Sequence, residues 1–149
     1  MATSGMLDSV FNSLDETKRS LEDQALKIVA EIQEIIIDYN RERQLFDKGI
    51  DSKGSLLKAY KPFTIALKKQ KGEVYNRTTL LDTEDFYKGF YLTAKNGTFE
   101  INSSDDKTPA LKKKYGADIF GLIPDNEGKV NFEEIYPRLL EWIINNLHL

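Results

Sequence analysis

The sequence predicts an α+β domain, with a long N-terminal helix and a C-terminal helix packed on a small antiparallel sheet built around a central β-hairpin. Three observations predict it. Apolar residues between positions 14 and 39 recur at steps of three and four, the spacing of one helix face. Two β-prone runs, residues 90–93 and 98–101, flank Asn96-Gly97. Both central residues of a type I′ turn need positive φ, and Asn-Gly tolerates it best, so this is a hairpin signal. Finally, Ile135, Leu139, Leu140, Ile143 and Leu147 return to helical spacing near the end of the chain.

In chain order, residues 1–12 are expected to be a flexible N-terminal segment, and 13–149 a single domain. Leu7, Val10, Phe11 and Leu14 already have helical spacing, and Ser13 with Glu16 fits a capping box. Leu21, Ala25, Ile28, Ile32, Ile35 and Tyr39 then form the main stripe, widened by Val29, Ile36 and Phe46. No proline or glycine falls between Met6 and Gly49. A helix of about 30 residues is ~45 Å long, more than one small core needs. The stripe is too wide for a strict coiled-coil seam, so sheet packing with a protruding end is expected. The face around residues 28–39 belongs to the core.

Gly49 and Gly54 turn the chain, Pro62 opens a short helix through Lys69, and residues 72–78 are irregular. Asp82 or Thr83 caps a short aromatic helix, with Glu84 and Asp85 in its first turn. In the hairpin, Phe90, Leu92 and Ala94 share one face, and Tyr91, Thr93 and Lys95 the other. Residues 103–109 connect to one or two helical turns that end at Gly116, and residues 119–123 read as a short strand or a buried loop. Residues 125–128 read as a turn, with Asn131 and Glu134 opening the last helix. Pro137 conflicts with an uninterrupted helix, so the helix either kinks there or becomes regular there.

Composition excludes several chemistries. The chain has 149 residues, no cysteine and one histidine, His148. Disulfides, thiolate catalysis and cysteine zinc sites are therefore absent, and serine–histidine arrangements lack a base. The N-terminus has neither the basic start nor the apolar core of a signal peptide, and no apolar run approaches membrane-spanning length. Residues 125–134 resemble the latter part of a calcium loop, but Ile123 stands where its first aspartate ligand is required. Asp82 with Asp85, and Asp105 with Asp106, read as caps and solvated loops rather than metal ligands. No catalytic residue, cofactor site or metal site is expected. The one charge anomaly is residues 53–77, with Lys53, Lys58, Lys61, Lys68, Lys69, Lys71 and Arg77 against Glu73, in a chain of net charge −3. Such a segment suits an acidic protein surface or a phosphate backbone.

The order of parts resembles the tail-completion, or virion morphogenesis, proteins of tailed bacteriophages. The likeness runs through the aspartate–glycine turn Gly49-Ile50-Asp51-Ser52-Lys53-Gly54, the lysine-containing segment 60–72, and the stretch Leu80-Leu81-Asp82-Thr83-Glu84-Asp85-Phe86 leading to the Asn96-Gly97 turn. It continues through residues 110–116 and the closing helix at 132–147. Glu84 stands where the family usually has glycine, and Lys113 and Lys114 where many members have histidine and an acidic residue. The resemblance implies a non-enzymatic structural virion protein whose copies form a homo-oligomeric ring at the neck, the head–tail connection or the tail end. It implies neck, portal or tail proteins as partners, genomic DNA passing through the ring, no membrane, and assembly in the host bacterial cytoplasm. Under it, Lys68, Lys69 and Lys71 are expected at a subunit or DNA contact, paired with Glu31, Glu34 or Asp38 of a neighbouring long helix. Phe63 and Tyr91 would supply apolar contact. The alternative is a small nucleic-acid-binding module that uses residues 53–77, with Tyr60, Phe63 and Tyr75 stacking on bases.

Overall fold

The computed structural model describes residues 2–82, 84–95 and 98–146, with side chains described from residue 6 onward except at Lys95. The Asn96-Gly97 turn, the Thr83 cap, Leu147 and His148 lie outside the described residues. The chain is an α+β domain: helices surround a two-stranded antiparallel sheet.

Helix α1 spans Ala2–Glu31, and α2 spans Gln33–Asp38. They join at Ile32, whose ψ of 16° breaks the regular path while its amide still reaches the Ile28 carbonyl at 3.0 Å. A π-helical segment, Tyr39–Phe46, continues the same rod. Residues 2–12, set apart by composition, are helical and continuous with α1. Of the expected apolar stripe, Ile28, Val29, Ile32, Ile36 and Tyr39 are buried in the core and Ile35 and Phe46 pack half-buried against it; Ile37 and Leu45, outside that stripe, are buried as well. Gly49 ends the rod with φ of +63°, and a β-carbon there would meet the Thr78 carbonyl at 2.9 Å. Both facts require glycine. In the turn that follows, the Asp51 carboxylate accepts the amides of Lys53 and Ser55, each at 2.9 Å.

Pro62 does open a helix, α3 (Pro62–Lys71), which Gly72 closes in the left-handed conformation. Helix α4 is a single turn, Asp85–Lys88. Its N-cap position is Glu84; of the two caps the sequence offered, Thr83 lies outside the described residues and the Asp82 carboxylate reaches Lys107 at 3.4 Å instead. Strands β1 (Phe90–Lys95) and β2 (Thr98–Ser103) pair in register, with Phe90 opposite Ser103, Leu92 opposite Ile101 and Ala94 opposite Phe99. Phe90 and Ile101 are buried and Leu92 and Phe99 half-buried, whereas Tyr91 and Thr93 are exposed, as alternation demands; Ala94, expected on the inner face, lies near the end of the strand and is exposed. This inner face packs on α1 and α2. Phe86, Tyr87, Phe90 and Phe120 form a cluster of tilted and edge-on rings with centroids 5.1–6.3 Å apart.

Helix α5 (Thr108–Tyr115) ends at Gly116, and a 3₁₀ turn, Ala117–Ile119, leads into an irregular segment rather than a strand. The last helical rod begins earlier than expected. Pro124 starts α6 (Pro124–Lys129), so the expected turn at 125–128 is the helix's first turn and a half. The stretch resembling a calcium loop is therefore helical. A π-helical segment, Val130–Ile135, connects α6 to α7 (Tyr136–Asn146). The regular helix thus resumes at Tyr136, one residue before Pro137, close to the second of the two alternatives. The wider π turn ahead of it accommodates a residue that lacks an amide donor and crowds the carbonyl one turn back. Helix α7 lies along α1.

Candidate functional site

The basic segment does not form one uniform patch. On α3, Lys68 falls on the core-facing side and is 9 % exposed. Its ammonium pairs with Glu73 at 3.3 Å, approaches the Leu81 carbonyl at 3.4 Å and sits 4.9 Å from the Tyr60 ring centre. Lys68 is therefore a partner within its own chain, a correction to its expected place among the contact lysines. Arg77 is similarly committed, since its Nε donates to the Phe46 carbonyl at 2.7 Å. Lys53 pairs with Asp118 at 3.2 Å on the surface. Lys69 lies over the Tyr75 ring at 4.8 Å. Lys58, Lys61 and Lys71 are exposed. Of the three aromatics that would stack on bases, Tyr60 and Tyr75 already carry lysines, and the Tyr60 hydroxyl accepts the Thr79 amide at 3.1 Å. Only Phe63 presents an open face; it is 75 % exposed.

The acids named for the opposite side of a contact also divide. Glu31 and Glu34 are exposed. Asp38 is half-buried and pairs with Arg43 of its own rod at 3.3 Å. The residues beside Glu31 and Glu34 that face water are Ala30 and Gln33, so no large apolar anchor accompanies those carboxylates. Tyr91 is exposed on the outer face of the hairpin, opposite Asn102.

What the surface does offer is apolar rows on three separate helices. Met6, Leu7, Val10, Phe11 and Leu14 are exposed on α1, in phase with the stripe that enters the core further along. Phe63 and Leu67 lie one turn apart on α3, and Lys71 extends the same row by another turn. Phe132, Tyr136, Leu140 and Ile144 are exposed at steps of four on the last rod. The sequence counted Leu140 with the last helix's packed positions and did not mark Phe132, Tyr136 or Ile144. The signal for the row was present: Leu139, Ile143 and Trp142 already account for a packed face, so apolar residues outside it mark a helix with two apolar sides.

Between α1, β2 and the C-terminal rod runs a groove of about 650 Å³. Ala25, Leu26, Val29, Phe99, Leu122 and Ile135 form its apolar lining, and Glu22 and Glu127 stand exposed at its rim. One wall is segment 119–123, the end of the 3₁₀ turn and the irregular stretch after it, which makes no sheet ladder. Its backbone is paired by two side chains one turn apart on the first π-helical segment. Asn40 donates to the Ile119 carbonyl and accepts the Gly121 amide, both at 3.0 Å. Gln44 donates to the Gly121 carbonyl and accepts the Ile123 amide, both at 2.9 Å. The Gln44 carbonyl also accepts Asn126 Nδ2 at 2.9 Å. Asn40 and Gln44 are fully buried, and this clamp satisfies a segment that secondary structure leaves unpaired.

A second polar network holds the turn before α4. Leu80 and Glu84 have φ of +61° and +69°, a conformation costly for residues with a β-carbon. Hydrogen bonds bracket Leu80: its neighbour Thr79 accepts the Leu81 amide through Oγ1 at 3.2 Å, and the Thr79 carbonyl accepts the Tyr87 hydroxyl. Burial, and secondarily the Glu42 charge, pushes the Tyr87 phenol well above its ordinary range, so it stays a donor. Among the described residues, no three His, Cys, Asp or Glu side chains gather as a metal site, and no helix is long and apolar enough to cross a membrane. The chain matches no protein-family model, no curated protein and no solved structure.

Proposed function

We propose that the chain is a non-enzymatic structural subunit that assembles with copies of itself into a closed ring at the neck or tail end of a tailed-phage particle. The observation that carries the reading is the set of apolar rows exposed on α1, α3 and the C-terminal rod. Extended apolar surface on a folded domain marks a contact with another macromolecule. Three rows on different elements suit a subunit that touches more than one neighbour. In a ring each copy presents one surface and receives a different one, so unlike surfaces on one chain are what closure requires. The place in a phage particle rests on the resemblance described above. Glu84 supports that likeness, because it adopts a left-handed conformation at a position where the family usually has glycine.

Native mass spectrometry of the full chain, alone and with candidate neck or portal proteins, tests the reading. A closed ring of identical copies is the expected result. A monomer under every one of these conditions overturns it. Salt-sensitive retention of DNA by that monomer would move the function to nucleic-acid binding.

A further inference from the structure

We propose that the apolar groove of one copy receives helix α3 of a second copy, with Phe63 and Leu67 entering the groove and Lys71 meeting Glu22 or Glu127 at its rim. The inference rests on the ring reading and names the contact that would build it. Donor and acceptor are unlike surfaces of the same chain, so the contact is head-to-tail and can close.

Charge complementarity selects the occupant. The exposed charges on and just before α3 are Lys58, Lys61, Lys69 and Lys71, and the single acid of this segment, Glu73, is paired with buried Lys68. It is the longer of two basic stretches in an acidic chain; the other, Lys107 with Lys112, Lys113 and Lys114 on α5, has no exposed large apolar side chain beside it. The groove is the reverse: an apolar floor with glutamates on two of its walls. Form agrees with charge. Phe63 projects from the first turn of α3 with three quarters of its surface in water, and Leu67 and Lys71 follow on the same side at one-turn intervals. A groove of about 650 Å³ holds more than one such side chain. An aromatic anchor in an apolar pocket, ringed by charge pairs, is the arrangement that concentrates binding energy. Glu31 and Glu34 lack such a floor and would contribute to encounter more than to affinity. The overhanging row of α1 is the rival occupant. Its segment carries Asp8, Asp15 and Glu16 beside Lys18 and Arg19, so it does not complement an acidic rim.

Sedimentation velocity on four variants of the full chain tests this, with circular dichroism confirming that each is folded. Phe63→Ser with Lys71→Glu breaks the donor, and Glu22→Lys with Glu127→Lys breaks the acceptor. Each is expected to weaken self-assembly roughly thirtyfold or more, as loss of a hot spot does. Mixed one to one, these two variants should form a dimer and stop, because only one intact donor and one intact groove remain. The third, combining Lys69→Glu and Lys71→Glu with both rim reversals in one chain, should recover much of the assembly. The fourth, Leu7→Ser with Phe11→Ser, should leave the contact in place.

If the wild type forms a ring that the donor and acceptor changes do not affect, this inference falls and the ring reading stands. The same holds if only the α1 variant dissolves the ring, which would make α1 the occupant. If the wild type forms open chains or dimers that the donor changes disrupt and the compensated chain restores, the contact stands and the ring reading falls. A wild type that remains monomeric at every concentration and with every candidate partner overturns both.

Discussion

Lys68, Lys69 and Lys71 are three residues of one type on one helix, and the fold treats each differently. Lys68 points inward to Glu73 and Tyr60, Lys69, about 100° further round the helix, lies on Tyr75, and Lys71, back within about 60° of Lys68 but at the last residue of α3, stands in water. Ile32 shows the same dependence for an apolar residue. It is 3 % exposed at the break between α1 and α2. Ile32→Ala is expected to cost about 2–5 kcal/mol in urea unfolding, and a loss under ~1 kcal/mol would place this face outside the core. Tyr87 makes a pH prediction. Its folded-state pKa is raised, so the stabilisation it reflects is fully present below about pH 10, where an unfolded phenol ionises, and is lost as pH rises further. Urea unfolding at pH 8 and pH 11 should show a steeper alkaline loss for the wild type than for Tyr87→Phe. Equal losses would mean that the hydroxyl is not protected by burial.

Among the elements, the two π-helical segments do the least predictable work. Tyr39–Phe46 presents Asn40 and Gln44 to the 119–123 backbone, and Val130–Ile135 lets the C-terminal rod absorb Pro137. Gln44→Leu keeps approximate volume but leaves the Ile123 amide, the Gly121 carbonyl and Asn126 Nδ2 without their partner. The expected cost is about 2–4 kcal/mol, from several buried polar groups left unpaired at once. Amide exchange at Ile123 should quicken beyond what the global loss explains. A variant as stable as the wild type, with Ile123 still protected, would show that the clamp is dispensable.

For the whole molecule, the surface combines apolar rows with charges of opposite sign on different faces, and this sets how assembly responds to salt. Rim charge pairs are screened over ~8–10 Å at physiological ionic strength, whereas apolar burial is not. Raising sodium chloride from about 50 mM to 500 mM should therefore slow association several-fold while changing dissociation little. Light scattering in stopped flow reads both rates. An association rate that is flat across the series would leave the exposed lysines as solvated surface. Charge reversal in such experiments belongs at Lys69 and Lys71, because Lys68→Glu would place a carboxylate beside Glu73 and unsettle the fold itself.

The sequence by itself determined the features whose causes are local. Period-two alternation placed the inner face of the hairpin, threes and fours placed the buried stripe of the long rod, Pro62 opened one helix, which runs two residues past the expected Lys69, and Gly116 closed another, because side-chain direction and allowed φ follow from neighbours a few residues away. The aspartate–glycine turn was legible for the same reason. Tertiary structure alone decided which lysines remain outside, that Asn40 and Gln44 meet a segment about eighty residues distant, and that Leu80 and Glu84 hold positive φ. It also decided that the C-terminal rod starts at Pro124 and leaves a second apolar row uncovered. Each of these depends on which groups compete for the same buried space or hydrogen-bond partner, and that competition exists only once distant parts of the chain are packed together.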